Sequence, residues 1–190
     1  MGDAAEDRAK AQNLPEGDVI AILLEQHAQV RDLFAEIQRA PAGERQEPFD
    51  RLRALLAVHE TAEEIVLRPQ AKDSDWKDIA TERNQEEDEA NKVLASLEDM
   101  DTASEAFLEK LKEFEESVDE HAEAEEHEEF PRVLEALDVD ERRKLGSRLE
   151  AVEKMGPTHP HPAAAGSTTA QTMTGPFAAM VDRVRDALSL

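Results

Sequence analysis

One stretch of this chain is written twice. HETAEEIVLRP, beginning at His59, returns as HAEAEEHEEFP beginning at His121, with the histidine, the paired glutamates and the proline all in register. A fainter echo lies upstream of each copy: His27-x-x-Val30-x-x-Leu33-Phe34-x-x-Ile37 corresponds to Glu87-x-x-Ala90-x-x-Val93-Leu94-x-x-Leu97, again about sixty residues on. A third segment therefore repeats a first, and a fourth repeats a second.

All four segments carry a helical period. From Val19 to Arg39, the residues Ile20, Leu23, His27, Val30, Phe34 and Ile37 recur at three- and four-residue steps and so line one face of a helix, which Pro41-Ala-Gly43 breaks. The second helix, about Gln46 to Leu67, carries Leu52, Leu55, His59, Ala62, Glu63 and Val66 on one face and is expected to end at Pro69. The third starts at Ser74 or Asp75 as N-cap and runs to about Met100 through Ala80, Arg83, Glu87, Ala90, Leu94 and Leu97. The fourth follows Thr102 and places Phe107, Leu111, Phe114, Val118, His121 and Glu125 on its stripe before Pro131, where it must kink or stop. No segment alternates as a half-buried strand does. Short connections make consecutive helices antiparallel, so the predicted fold is all-α, an up-down-up-down four-helix bundle.

The remainder divides by composition. Residues 1–14 are polar and read as a disordered arm, 15–137 as the bundle and 138–155 as a short extra helix. Residues 156–175, rich in Pro, Ala, Ser and Thr, read as a flexible linker in which His159 and His161 are incidental. A C-terminal amphipathic helix, 176–190, carries Phe177, Met180, Val181, Val184 and Leu188 and would dock on the bundle or on a second copy, giving a monomer or a homodimer.

The anomaly is what sits on the apolar stripes. His27, His59, Glu63, Glu87, His121 and Glu125 occupy positions where packing alone would call for Leu or Val. Within each repeated copy, His-x-x-x-Glu puts an imidazole and a carboxylate on the same helical face, one turn apart. Burying such groups without a partner is costly, and a cation captured between the helices would compensate all of them at once. Three imidazoles and three carboxylates suit two transition-metal ions, iron first and manganese second, because calcium and magnesium favour all-oxygen shells and structural zinc a closed four-ligand site. The chain has no cysteine, which rules out disulfides, iron–sulfur clusters and thiol chemistry.

Charge narrows the partners. Lys and Arg total 22 against 45 Asp and Glu, a net charge of -23, so nucleic acid and anionic membranes would be repelled. Neither a signal peptide nor a run of about 18 apolar residues is present, and the expected location is the cytoplasm.

The two HxxxEE…P segments, taken together with His27, resemble the hemerythrin-like, HHE cation-binding proteins over about residues 18–135. The resemblance implies a hemerythrin-like bundle with two non-haem iron ions, and it carries His27, His59, Glu63, His121 and Glu125 over as ligands. On the third helix, where oxygen-carrying members supply histidine, this chain offers Glu87, with Asp88 as the alternative. A carboxylate there favours ferric iron and argues against reversible oxygen carriage. Ferritin-like di-iron bundles expect Glu-x-x-His, which occurs nowhere in the chain. Glu64 and Glu126 are expected beside the ligands or in solvent, His127 in solvent, and Trp76 as an anchor at the bundle end. The expected role is binding or redox processing of O2, NO or H2O2, with peroxide breakdown the most concrete activity. A non-enzymatic oxygen, redox or iron sensor is the alternative.

Overall fold

The computed structural model describes residues 2–71, 74 and 76–155. The predicted linker and C-terminal helix, Asp75 and the side chain of Asp88 lie outside the described residues. Among those described the regular structure is helical throughout: α1 Ala4–Gln12, α2 Val19–Arg39, a 3-10 turn Ala42–Glu44, α3 Gln46–Ala62, α4 Arg68–Ala71, α5 Lys77–Glu98, α6 Glu105–Ala124, α7 Phe130–Ala136 and α8 Val139–Met155. Helices α2, α3, α5 and α6 make the four-helix bundle, and α8 packs against α2 and α3. No described helix is long and apolar enough to cross a membrane.

Two of the four bundle helices, α2 and α6, start at side-chain caps. Asp18 Oδ1 accepts the Ile20 N–H at 3.1 Å to open α2, and Ser104 Oγ accepts the Phe107 N–H at 3.1 Å to open α6. The third bundle helix differs from the expected Ser74 or Asp75 cap: α5 is preceded by Trp76, buried in the core and making no side-chain cap hydrogen bond, while Ser74 Oγ accepts the Trp76 N–H at 3.3 Å in the turn before it.

Two expectations change. The N-terminal segment, expected to be a disordered arm, is instead helical, with Asp3 capping α1 and Asp7 buried against α2. Its sequence shows no apolar stripe because charge holds it: Asp7 pairs with Arg31, Arg8 reaches Asp32 at 2.6 Å, and Lys10 reaches Glu126 at 2.8 Å. The second bundle helix also does not end at Pro69. A π turn, Glu63–Leu67, follows α3, the Arg68 N–H bonds back five residues to the Glu63 carbonyl, and the helix resumes through Pro69 to Ala71. The same device, Glu125–Glu129 with the Phe130 N–H on the Glu125 carbonyl, precedes Pro131. The wider turn moves carbonyls off the α ladder, so a ring that lacks an N–H is accommodated without a break.

The core is in two parts. Leu23, Leu24, Ala62, Val66, Trp76, Ala80, Phe130 and the inner residues of α8 form one cluster, and Val30, Phe34, Leu52, Leu56, Ala90, Leu94, Leu111 and Phe114 belong to another. On α2 the change from one to the other falls at His27, on α3 at His59, on α5 across Glu87, and between α6 and α7 across His121 and Glu125. A polar layer thus crosses the bundle between two apolar ones.

Candidate metal centre

All six candidate residues meet in that layer. His27, His59 and Glu125 form one group, and Glu63, Glu87, His121 and Glu125 another, each with its ligand atoms within 4.8 Å of one another. Glu125 belongs to both and divides its oxygens between them. Oε2 lies 3.3 Å from His27 Nε2 and 4.0 Å from His59 Nε2, whereas Oε1 lies 3.2 Å from His121 Nε2. Glu87 Oε1 is 3.8 Å from His121 Nε2, and Glu63 Oε2 is 3.8 Å from His59 Nε2. The two π turns begin at Glu63 and Glu125, so the extra residue in each turn comes where its helix delivers a carboxylate to the layer.

Each imidazole is oriented from behind. His27 Nδ1 donates to Glu126 Oε1 at 3.1 Å, His59 Nδ1 to Gln26 Oε1 at 2.7 Å, and His121 Nδ1 to Glu86 Oε2 at 2.9 Å. A proton held at Nδ1 directs Nε2 into the layer, so that each ring in its neutral form presents the Nε2 lone pair there, the arrangement that ligating histidines require. Glu126 is itself fixed by Lys10 at 2.8 Å and Arg31 at 3.2 Å.

The buried atoms at the centre are short of partners. His27 Nε2, His121 Nε2, Glu63 Oε1 and Glu125 Oε2 are sealed from solvent, and none makes a hydrogen bond. Native interiors leave few such groups. Four inward atoms of ligand type, two imidazole nitrogens from α2 and α6 and two carboxylate oxygens from the first residues of the two π turns, suit a cation bound by nitrogen and oxygen.

Ionisation in the metal-free protein follows the same geometry. Burial, with His27 beside it, holds His59 down to about 3, so its imidazole is neutral. Burial disfavours charge on His121 as well, but the Glu125 carboxylate outweighs it and lifts His121 well above the ordinary range. Burial would raise Glu125, yet His121 and His27 hold it well below. Burial and the Glu125 charge push Glu63 well up, and burial raises Glu87.

The repeat and the stripes point to the six residues that the fold brings together, but not to the side chains behind them. Gln26 and Glu86 each precede a site residue and sit off the stripes, where a polar side chain is unremarkable. Nor do the stripes point to Arg68, which is buried, with Nη2 donating to Glu125 Oε1 at 3.0 Å and to Glu87, and Nη1 to the buried Glu129. A signal for it existed in the repeat. Where the first copy has Leu67-Arg68, the second has Glu129-Phe130, a pair of departures of opposite charge. Of the other expectations, His127 is exposed, Glu126 stands behind His27 and Glu64 is half-buried outside both groups.

Known proteins converge on the same domain. The family model for the Hemerythrin HHE cation binding domain matches residues 18–133. An uncharacterized hemerythrin-like protein of Schizosaccharomyces pombe is 31% identical over 134 residues, a match spanning 69% of this chain and 66% of that protein, just under two thirds of its length. The crystal structure of a Hemerythrin HHE cation binding domain-containing protein from Mycobacterium kansasii superposes with a TM-score of 0.62 at 20% identity, covering 86% of this chain and 96% of that one. That likeness shows a shared fold. The chain belongs to the hemerythrin HHE cation-binding domain family.

Proposed function

We propose that His27, His59, Glu63, Glu87, His121 and Glu125 hold two non-haem iron ions, with manganese as the alternative metal, and that the centre binds or redox-processes O2, NO or H2O2. The observation that carries this reading is Glu125, whose Oε2 faces His27 and His59 while Oε1 faces His121, so that one carboxylate would serve both ions. When bound, the metal pair supplies one- and two-electron redox chemistry.

The surrounding residues suit a small, uncharged guest. A cavity of about 170 Å³ is lined by His27, His59, Glu87 and His121 and by the apolar Val30, Phe34, Leu56, Ala90 and Val118, with Arg31, Glu115 and Asp119 also on its wall. Its apolar wall limits water near the histidines, and its size suits a diatomic or a peroxide together with a few waters. Glu60 lines it also, accepting a hydrogen bond from Asn91 Nδ2 at 2.9 Å. Burial and the neighbouring Glu87 charge push Glu60 up to about 8, so that in the metal-free protein it holds a proton at the cavity wall at neutral pH. Disproportionation of peroxide, 2 H2O2 giving O2 and 2 H2O, is the most concrete activity for such a pocket, because it needs no second substrate and no external reductant.

Metal content per chain, with the visible spectrum of the aerobically purified protein, is the first test. About two irons with near-ultraviolet charge-transfer bands are expected, and His59→Ala should lower the iron content. Peroxide consumption with release of O2 is then measured on the loaded protein. Protein from iron-replete growth that contains no metal defeats the assignment; loaded protein that reacts with neither peroxide, O2 nor NO defeats the redox role.

A further inference from the structure

A cation already stands in half of this centre. Arg68, at the start of α4, is 7% exposed, and its guanidinium lies within the polar layer. Nε donates to Asn84 Oδ1 at 3.0 Å and Nη1 to Glu129, which is fully buried and belongs to neither candidate ligand group. Nη2 is directed elsewhere. It donates to Glu125 Oε1 at 3.0 Å, to Glu63 Oε2 at 3.4 Å and to Glu87 Oε1.

Those acceptors are the three carboxylates of the second ligand group, and two of the oxygens, Glu125 Oε1 and Glu87 Oε1, are the ones nearest His121 Nε2. One amino group has two hydrogens for three acceptors, so it compensates their charge without satisfying them as a bidentate pair would. The other half of the centre is built differently: Arg68 approaches Glu125 through Oε1, the oxygen turned away from His27 and His59.

We propose that Arg68 is a resident occupant of the Glu63–Glu87–His121–Glu125 half of the centre, so that ions load in order, the His27–His59–Glu125 half first and the second half only as Nη2 is displaced. This rests on the reading that these six residues bind metal. Displacement does not strand the guanidinium, because Asn84 and Glu129 still hold Nε and Nη1. The arginine therefore does two things: it compensates part of the buried charge while the protein is metal-free, and it sets the second ion's affinity below the first.

The test is anaerobic titration of the metal-stripped full-length chain with cobalt(II), followed by calorimetry and by visible absorption of the bound ion. The wild-type protein should take one ion tightly and a second at least tenfold more weakly. Arg68→Met should tighten the second ion at least tenfold, change the first less than threefold, and lower the melting temperature of the metal-free protein. Glu129→Gln, nearly isosteric, should act oppositely, leaving Nη2 to the ligand carboxylates and weakening the second ion.

Two ions of equal affinity in the wild-type protein, or an Arg68→Met variant that binds the second ion more weakly, overturns the proposal, since the arginine would then be holding ligands for the metal. If Arg68→Met does not fold, Glu129→Gln decides alone: an unchanged or tighter second ion is fatal. Failure of the underlying metal assignment looks different, with no cobalt bound by the wild-type chain or His59→Ala titrating like wild type.

Discussion

At the residue scale the centre depends on side chains that never face it. Gln26 fixes His59 through a 2.7 Å hydrogen bond at Nδ1, and its own amide donates to Glu153 Oε1 at 2.5 Å, so α8 helps set the orientation of an imidazole on α3. Gln26→Leu removes the acceptor while keeping the bulk. Metal affinity measured by calorimetry should fall roughly 10- to 100-fold; an unchanged affinity would show that packing alone orients His59. Glu126 makes a separate, pH-dependent contribution. Burial would raise its carboxyl, but hydrogen bonds to His27 and Lys10 hold it down at about 2 against an ordinary 4.5. A depressed carboxyl stabilises the folded state fully above its unfolded value and loses that contribution as pH falls through its folded value. In the metal-free protein, the stability advantage of wild type over Glu126→Gln should therefore shrink by at most about 3 kcal/mol as the pH falls from about 5 to about 2. Denaturant melts across that range would read it, and a gap that widens on acidification would contradict the assignment.

At the scale of elements, α8 and the start of α2 are joined by one buried ion pair. Asp18 is fully buried, capping α2 with Oδ1 and accepting Arg142 Nε on Oδ2 at 2.7 Å, while Arg142 Nη1 donates to the Leu137 carbonyl at 2.7 Å. The contact is close in the backbone also. Gly17 has φ +79°, and a Cβ on Gly146 of α8 would collide with the Gly17 carbonyl oxygen. Asp18→Ala removes the cap and leaves a buried guanidinium short of its carboxylate, so it should cost about 3–5 kcal/mol in chemical denaturation. Asp18→Asn keeps the cap and should cost less. Equal losses would mean that the Arg142 pair contributes nothing beyond the cap.

For the whole molecule, the polar layer between two apolar clusters makes stability depend on what the layer holds. In the metal-free chain Glu63, Glu87, Glu125 and Glu129 share Arg68. Burial works against the arginine's charge, but those four carboxylates together raise its proton affinity. An ion that binds only the folded chain adds about 2.7 kcal/mol at 100 times its dissociation constant, or roughly 5–10 °C in melting temperature for a domain of this size. Calorimetric melts with cobalt(II) and then with excess chelator should show that rise and its reversal. A melting temperature indifferent to both would leave the buried acids without their expected compensation. The net charge of -23 adds a long-range attraction for cations but selects none of them.

The repeat and the stripes by themselves determined the helices, the bundle class and the six inward residues, because helical period is local and a polar residue on an apolar stripe is visible in one dimension. Passage through Pro69 and Pro131 was not visible, since a π turn is a choice between neighbouring hydrogen-bond registers that the local sequence only weakly biases. Helix α1 was hidden for another reason: its stability lies in partners on α2 and α7's preceding turn, Arg31, Asp32 and Glu126, distant in sequence. Only the tertiary structure decided that Gln26, Glu86 and Glu126 hold the imidazoles, that Glu125 turns one oxygen to each half of the layer, and that Arg68 enters it. Each of these is a contact between helices, and the side chain that completes a contact between helices is fixed by packing geometry rather than by its own neighbours along the chain.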